Sequence, residues 1–183
     1  MIHHERFSPH FTVTIVEGSA APVDFRFAAA GSGARAVELV VEPRDGPAWT
    51  AAFAAPDPGF PALTGVLGTP NPTGLCVIER GTAFVGDVLD PASFRRVETR
   101  GPVVGAEELP RCRTLVLLTP WSITALGPDG CRWTSGRIAV DRLRVDEAGD
   151  GWLRGVADPD DEEPRDFALD LSTGEVIGGA GIA

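Results

Sequence analysis

Apolar and polar positions alternate with a period of two near the start of the chain. Phe11, Val13 and Ile15 share one face against Thr12 and Thr14, and Val23, Phe25 and Phe27 share another against Asp24 and Arg26. A strand turns successive side chains to opposite faces, so each segment reads as a strand with one covered side. The turn-forming residues 18–22 between them predict a hairpin, and Gly31-Ser32-Gly33 separates it from a third strand carrying Val37, Leu39 and Val41. Trp49 and Phe53, within residues 48–55, satisfy both an i,i+4 helical face and one face of a strand, which leaves that segment undecided.

Residues 56–73 are rich in proline and glycine and predict a long surface connection. Beyond it, short apolar segments at 75–78, 83–89, 114–118, 122–126, 137–145, 152–156, 167–171 and 175–177 stand between turn signals, the pattern of a strand meander. Proline and glycine cut every longer helical pattern, which limits helix to single turns near 91–97 and 105–109. Within 137–145 the apolar positions change parity, from Ile138 and Val140 to Leu143 and Val145, and a bulge near Asp141-Arg142 would return them to one face. Asp150-Gly151 and Ser172-Thr173-Gly174 are hairpin turns by composition. The expected architecture is one all-β domain over residues 1–183, an antiparallel β-sandwich or flattened barrel in which the N-terminal hairpin packs on the C-terminal meander.

With 183 residues, 43% of them hydrophobic, the chain can bury a core of ordinary size, and no apolar run approaches a membrane-spanning helix. The charge changes the picture more. Sixteen basic against 26 acidic residues give a net charge of −10, which sets the field of the molecule against phosphate backbones and argues against nucleic acid. All the basic residues are arginine, so Schiff-base and P-loop lysine chemistry is excluded. The start of the chain has no signal-peptide pattern, and Cys76, Cys112 and Cys131 fit neither a disulfide framework nor a zinc pattern. Reduced thiols and a cytoplasmic location are the expectation.

One phrase, Ile123-Thr124-Ala125-Leu126-Gly127-Pro128-Asp129-Gly130-Cys131-Arg132-Trp133, resembles β-propeller blades: a strand ending in Ala-Leu, an Asp-Gly turn, and a Trp in the next strand. Leu171-Ser172-Thr173-Gly174-Glu175-Val176 is similar to the turn of such repeats. At the ~40–45 residues of the commonest blades, the resemblance implies at most four repeats in a chain of this length. Trp133 with Arg137, followed by Leu169-Asp170-Leu171 and Thr173-Gly174, is also similar to small uncharacterised bacterial all-β proteins, a likeness that implies no activity.

Candidate chemistry is confined. His3, His4 and His10 are the only histidines, and with Glu5 they offer the ligand types of a zinc or nickel site. One short terminal segment supplies few fixed ligands, however, and adjacent His3 and His4 would face opposite ways if extended. Residues 158–166 carry six carboxylates, Asp158, Asp160, Asp161, Glu162, Glu163 and Asp166, without the spacing or central glycine of an EF-hand. A solvated loop between strands is the plainer reading. Asp146, Glu147 and Asp150 lie at the preceding turn, a strand length away. Arg111 and Arg113 flank Cys112 and would lower its thiol pKa, but alternation turns them away from the sulfur. No serine stands in a G-x-S-x-G elbow, and the four tryptophans suit a core better than a recognition surface.

These readings converge on a non-enzymatic binding module, adaptor- or immunity-like, that meets a basic protein partner through Asp158, Asp160, Asp161, Glu162, Glu163 and Asp166, with no cofactor. The alternative is a small metal-dependent enzyme or metal-binding protein using His3, His4 or His10.

Overall fold

The alternating segments are strands, and each is paired with a neighbour in a four-stranded sheet. The computed structural model describes residues 6–16 and 22–180. The first sheet holds β1 (Phe11–Val16), β2 (Phe25–Ala28), β3 (Ala36–Pro43) and β4 (Trp49–Ala54), and the second β5 (Gly65–Gly68), β6 (Gly74–Glu79), β7 (Thr82–Asp87) and β8 (Asp90–Arg96). The third holds β9 (Gly105–Leu109), β10 (Thr114–Leu118), β11 (Ile123–Gly127) and β12 (Gly130–Thr134), and the fourth β13 (Leu143–Gly149), β14 (Trp152–Ala157), β15 (Arg165–Asp170) and β16 (Val176–Gly178). The last three sheets are antiparallel meanders of four consecutive strands, the unit from which propeller blades are built. The phrase over residues 123–133 forms the β11–β12 hairpin, and residues 171–175 form the turn into β16.

Successive sheets are joined face to face by buried side chains. Leu39, Val41 and Phe53 of the first sheet pack with Leu75, Val77, Phe84 and Phe94 of the second. Cys76 and Ile78, on the opposite side of β6, pack with Leu115, Leu117 and Leu126 of the third. Val116 and Ile123 then turn to Leu153, Phe167 and Leu169 of the fourth. Each fully buried Leu, Ile or Phe contributes roughly 1.5–3 kcal/mol by leaving water. Because β6 and β10 are covered on both sides, their sequences are near-continuous apolar runs. The outer sheets are covered on one side only. They carry exposed Thr12, Thr14, Arg26 and Glu42 at one end of the stack, and Arg144, Glu147, Arg154 and Asp166 at the other.

Several sequence expectations change. β1 and β2 do not form a hairpin: β1 pairs with β3 and β2 runs parallel to β4, giving the order β1-β3-β4-β2. Asp24 fixes this, since its carboxylate accepts from the Thr50 N–H at 2.7 Å and the Thr50 hydroxyl at 2.9 Å while its own N–H donates to that hydroxyl at 3.0 Å. Phe27 then stacks on Phe53 with ring centroids 4.8 Å apart. Residues 48–55 resolve as strand β4, and the 56–73 connection contains strand β5. The helical turns expected near 91–97 and 105–109 are instead strands β8 and β9, and the helical turn of the described chain is a 3-10 turn at Pro110–Cys112. The bulge lies between Val145 and Glu147, not at Asp141-Arg142, because residues 137–142 precede the strand. A sandwich needs two facing sheets and a barrel one closed sheet; the described strands form four sheets packed in series.

Candidate functional site

The loop between β14 and β15 begins at Asp158, whose backbone is left-handed with φ 52°. Aspartate enters this region more readily than most residues. The chain reverses there, and the side chain turns inward. Asp158 Oδ1 accepts from the backbone N–H groups of Val140 at 3.0 Å, Asp141 at 2.7 Å and Arg142 at 3.2 Å, and Oδ2 from Val140 at 2.9 Å. The Asp158 N–H donates to the Arg142 carbonyl at 2.8 Å, which closes the clasp from the other side. Burial pushes this carboxyl's pKa up, but the N–H donors of Asp141, Val140 and Arg142 and the charge of Arg137 outweigh it, and the net direction is down. Asp158 is therefore an anchor that faces the backbone of residues 140–142.

The remaining carboxylates of the run are displayed. Asp160 ion-pairs with Arg142, and both are exposed. Asp161, Glu162, Glu163 and Asp166 are exposed as well, while Arg165 is turned to the Ala180 carbonyl at 3.1 Å. Asp158, Asp161, Glu162, Glu163, Arg165, Ala180 and Val140 line an open concavity of ≈ 530 Å³. Val140 is 44% exposed, an apolar floor among carboxylates. Such a surface can take the aliphatic stem of an arginine or lysine while the rim carboxylates receive its charged head.

The second acidic group is elsewhere. Asp146 pairs with Arg144 at 2.8 Å and Glu147 with Arg154 at 3.7 Å on the β13–β14 hairpin, whose turn is at Asp150-Gly151. β14 runs from that turn to the 158–164 loop, so only Asp150 stands a strand length, roughly 20 Å, from that loop. Glu147 pairs with Arg154 midway along β14, roughly 13 Å from Asp158, and Asp146 lies beside it at the bulge, which corrects the expected separation for these two.

His10 is exposed and tied by its backbone, its N–H to the Pro72 carbonyl and its carbonyl to the Arg44 N–H, each at 2.8 Å. His3 and His4 lie outside the described residues. Among the described residues no three His, Cys, Asp or Glu side chains converge as metal ligands.

The three cysteines are free: Cys76 is buried, with its thiol pushed up to about 12 by burial, Cys112 half-buried in the 3-10 turn, and Cys131 exposed. Trp49 is buried and donates to the Val88 carbonyl at 2.9 Å, and Trp133 donates to the Leu171 carbonyl at 3.1 Å. Sequence reading missed the part of Val140 and Arg142 in this site, because neither lies in the acidic run; the parity change at Val140 was the available signal.

No family model matches the chain, and no curated protein matches it. Among solved structures, it is similar to the N-terminal domain of Nup159, with a TM-score of 0.41 and 16% identity over 97% of this chain and 51% of that one. A putative TolB from Agrobacterium tumefaciens is similar with a TM-score of 0.37 and 15% identity, over 78% of this chain and 59% of that one. A chain of the S. cerevisiae complex of Dbp5 with Nup159, Gle1, IP6 and ADP gives 0.41 and 15%, over 95% of this chain and 50% of that one. The chain thus spans between 50% and 59% of the length of these structures.

Proposed function

We propose that the protein is a non-enzymatic binding module that meets a basic protein partner through the 158–166 loop. The observation that carries this reading is the display of Asp160, Asp161, Glu162, Glu163 and Asp166 on a loop whose base is clasped by Asp158. A fixed base lowers the entropy lost when the loop is captured. Like charges crowded this tightly are unfavourable until a partner neutralises them, and the net charge of −10 steers cations toward the surface. The partner's arginine or lysine side chains would rest on Val140 with their heads among Asp161, Glu162 and Glu163.

Capture from native lysate, followed by titration of the captured protein, tests this. Affinity should fall as added salt shortens the Debye length from about 10 Å at 0.1 M to about 3 Å at 1 M. Changing Asp160, Asp161, Glu162 and Glu163 together to serine, with Asp158 left in place, should weaken capture by about tenfold or more. Capture indifferent to salt and to those four changes would reduce the loop to a solubilising surface and sink the reading.

A further inference from the structure

The seam between the second and third sheets opens at one end into a polar cleft. Cys76 pairs with Val85 and Val85 with Arg95, so Arg95 continues the row of side chains that faces the third sheet. Asp87, two residues along β7 from Val85, stands on the same side. The β11–β12 turn brings Asp129 and Gly130 of the third sheet into the same lining, which encloses ≈ 180 Å³. Pockets for drug-sized ligands run to roughly 300–1,000 Å³, so this cleft is sized for a smaller molecule.

The charged groups of the lining differ in how they are engaged. Asp87 is fixed: Oδ2 accepts from the Thr73 hydroxyl at 2.7 Å, Oδ1 accepts from the Leu89 N–H at 2.9 Å, and its own N–H donates to the Ser93 hydroxyl at 2.8 Å. Arg95 and Asp129 are exposed, and neither has a hydrogen bond or ion pair among the described residues. They border one cleft yet stand too far apart to pair with each other. The Arg95 guanidinium lies against Gly130, where a Cβ would be 2.9 Å from Nη2, so the glycine leaves it room. A fork of N–H donors and a carboxylate with open lone pairs thus border the same small space. A simple anion would meet two carboxylates beside its one guanidinium, and a simple cation would leave that guanidinium unanswered. A molecule with a carboxylate and an ammonium a few bonds apart satisfies both ends.

We infer that this cleft binds a small zwitterion, a free α-amino acid, with its carboxylate on the Arg95 guanidinium and its ammonium between Asp129 and Asp87. Arginine receives a carboxylate through two parallel N–H bonds, which fixes the orientation of the ligand. The site is independent of the 158–166 loop, which belongs to the fourth sheet.

The test is titration of the whole chain with glycine, the smallest such zwitterion, followed through the Arg95 Nε–H resonance and the backbone amides of Asp129 and Gly130. Acetate and methylammonium, each carrying one of the two ends, are titrated in parallel, with sodium chloride at matched ionic strength as the control. Glycine should give saturable shifts. The two half-ligands should bind at least about tenfold more weakly, because joining the ends makes the second contact intramolecular. Arg95→Ala and Asp129→Asn, both on exposed side chains, should each weaken glycine binding about tenfold. Arg154→Ala, on the outer face of the fourth sheet, should leave it unchanged. Glycine shifts that never saturate, that sodium chloride reproduces, or that persist undiminished in Arg95→Ala would overturn the assignment. Acetate binding as tightly as glycine would overturn it equally, since the ammonium would then have no part in recognition.

Discussion

Asp158 shows how much of the acidic loop depends on one side chain turned inward to the backbone of residues 140–142. Replacing it with alanine leaves three backbone N–H groups at residues 140–142 without their acceptor and places alanine at φ 52°. The expected loss is about 2–4 kcal/mol, read by urea unfolding at neutral pH. Asp158→Asn keeps one acceptor oxygen and tolerates the left-handed backbone, and should lose about half as much. The pH dependence follows from the depressed pKa. The stabilisation is fully present above the unfolded-state value near 4 and is lost as pH falls through the lower folded-state value. The asparagine variant should lack this part of the acid transition, and an unchanged acid profile would show that the clasp is not a charged one. Sequence alone marks Asp158 as one of six equivalent carboxylates. Its inward turn depends on a segment 16 residues or more upstream, which no local pattern reveals.

At the scale of elements, the β13–β14 hairpin offers a clean comparison between two glycines. A Cβ on Gly155 would stand 2.0 Å from the Arg144 carbonyl oxygen, so Gly155→Ala forces the two strands apart beside the bulge. A Cβ on Gly149, one residue from the turn, meets nothing within 4 Å. Gly155→Ala should cost more than about 2 kcal/mol, and Gly149→Ala should stay within about 0.5 kcal/mol, as measured by thermal or urea unfolding. Similar losses at the two positions would mean that the strands are not in this register.

The strands that sequence patterning missed have a common place in the fold. β5, β8 and β9 are all edge strands. An edge strand has one neighbour and tolerates Pro91, the arginine pair Arg95-Arg96, and Glu107-Glu108, which dilute the apolar signal. The central strands β6, β10 and β11 were legible as apolar runs because sheets cover both of their faces. The outer sheets were legible as alternation because only one face is covered.

For the whole molecule, the sheets form a series in which each is joined to the next by its own buried cluster, and the two end faces are polar. This arrangement was not legible from periodicity, which reports whether a face is covered but not by which segment. The β1-β3-β4-β2 order carries a further consequence for the route by which the chain acquires its structure. In the second, third and fourth sheets each strand pairs with its immediate neighbour in sequence, so only short loops must close. In the first sheet Phe11 pairs with Pro43 and Phe25 with Ala51, which requires closures several times longer before any contact repays them. The N-terminal sheet, although synthesised first, should therefore be the last to form. In refolding with pulsed hydrogen exchange, the amides of β10, β11, β14 and β15 should gain protection before those of β1 and β2. Protection that appears in β1 and β2 first, or everywhere at once, would contradict this order.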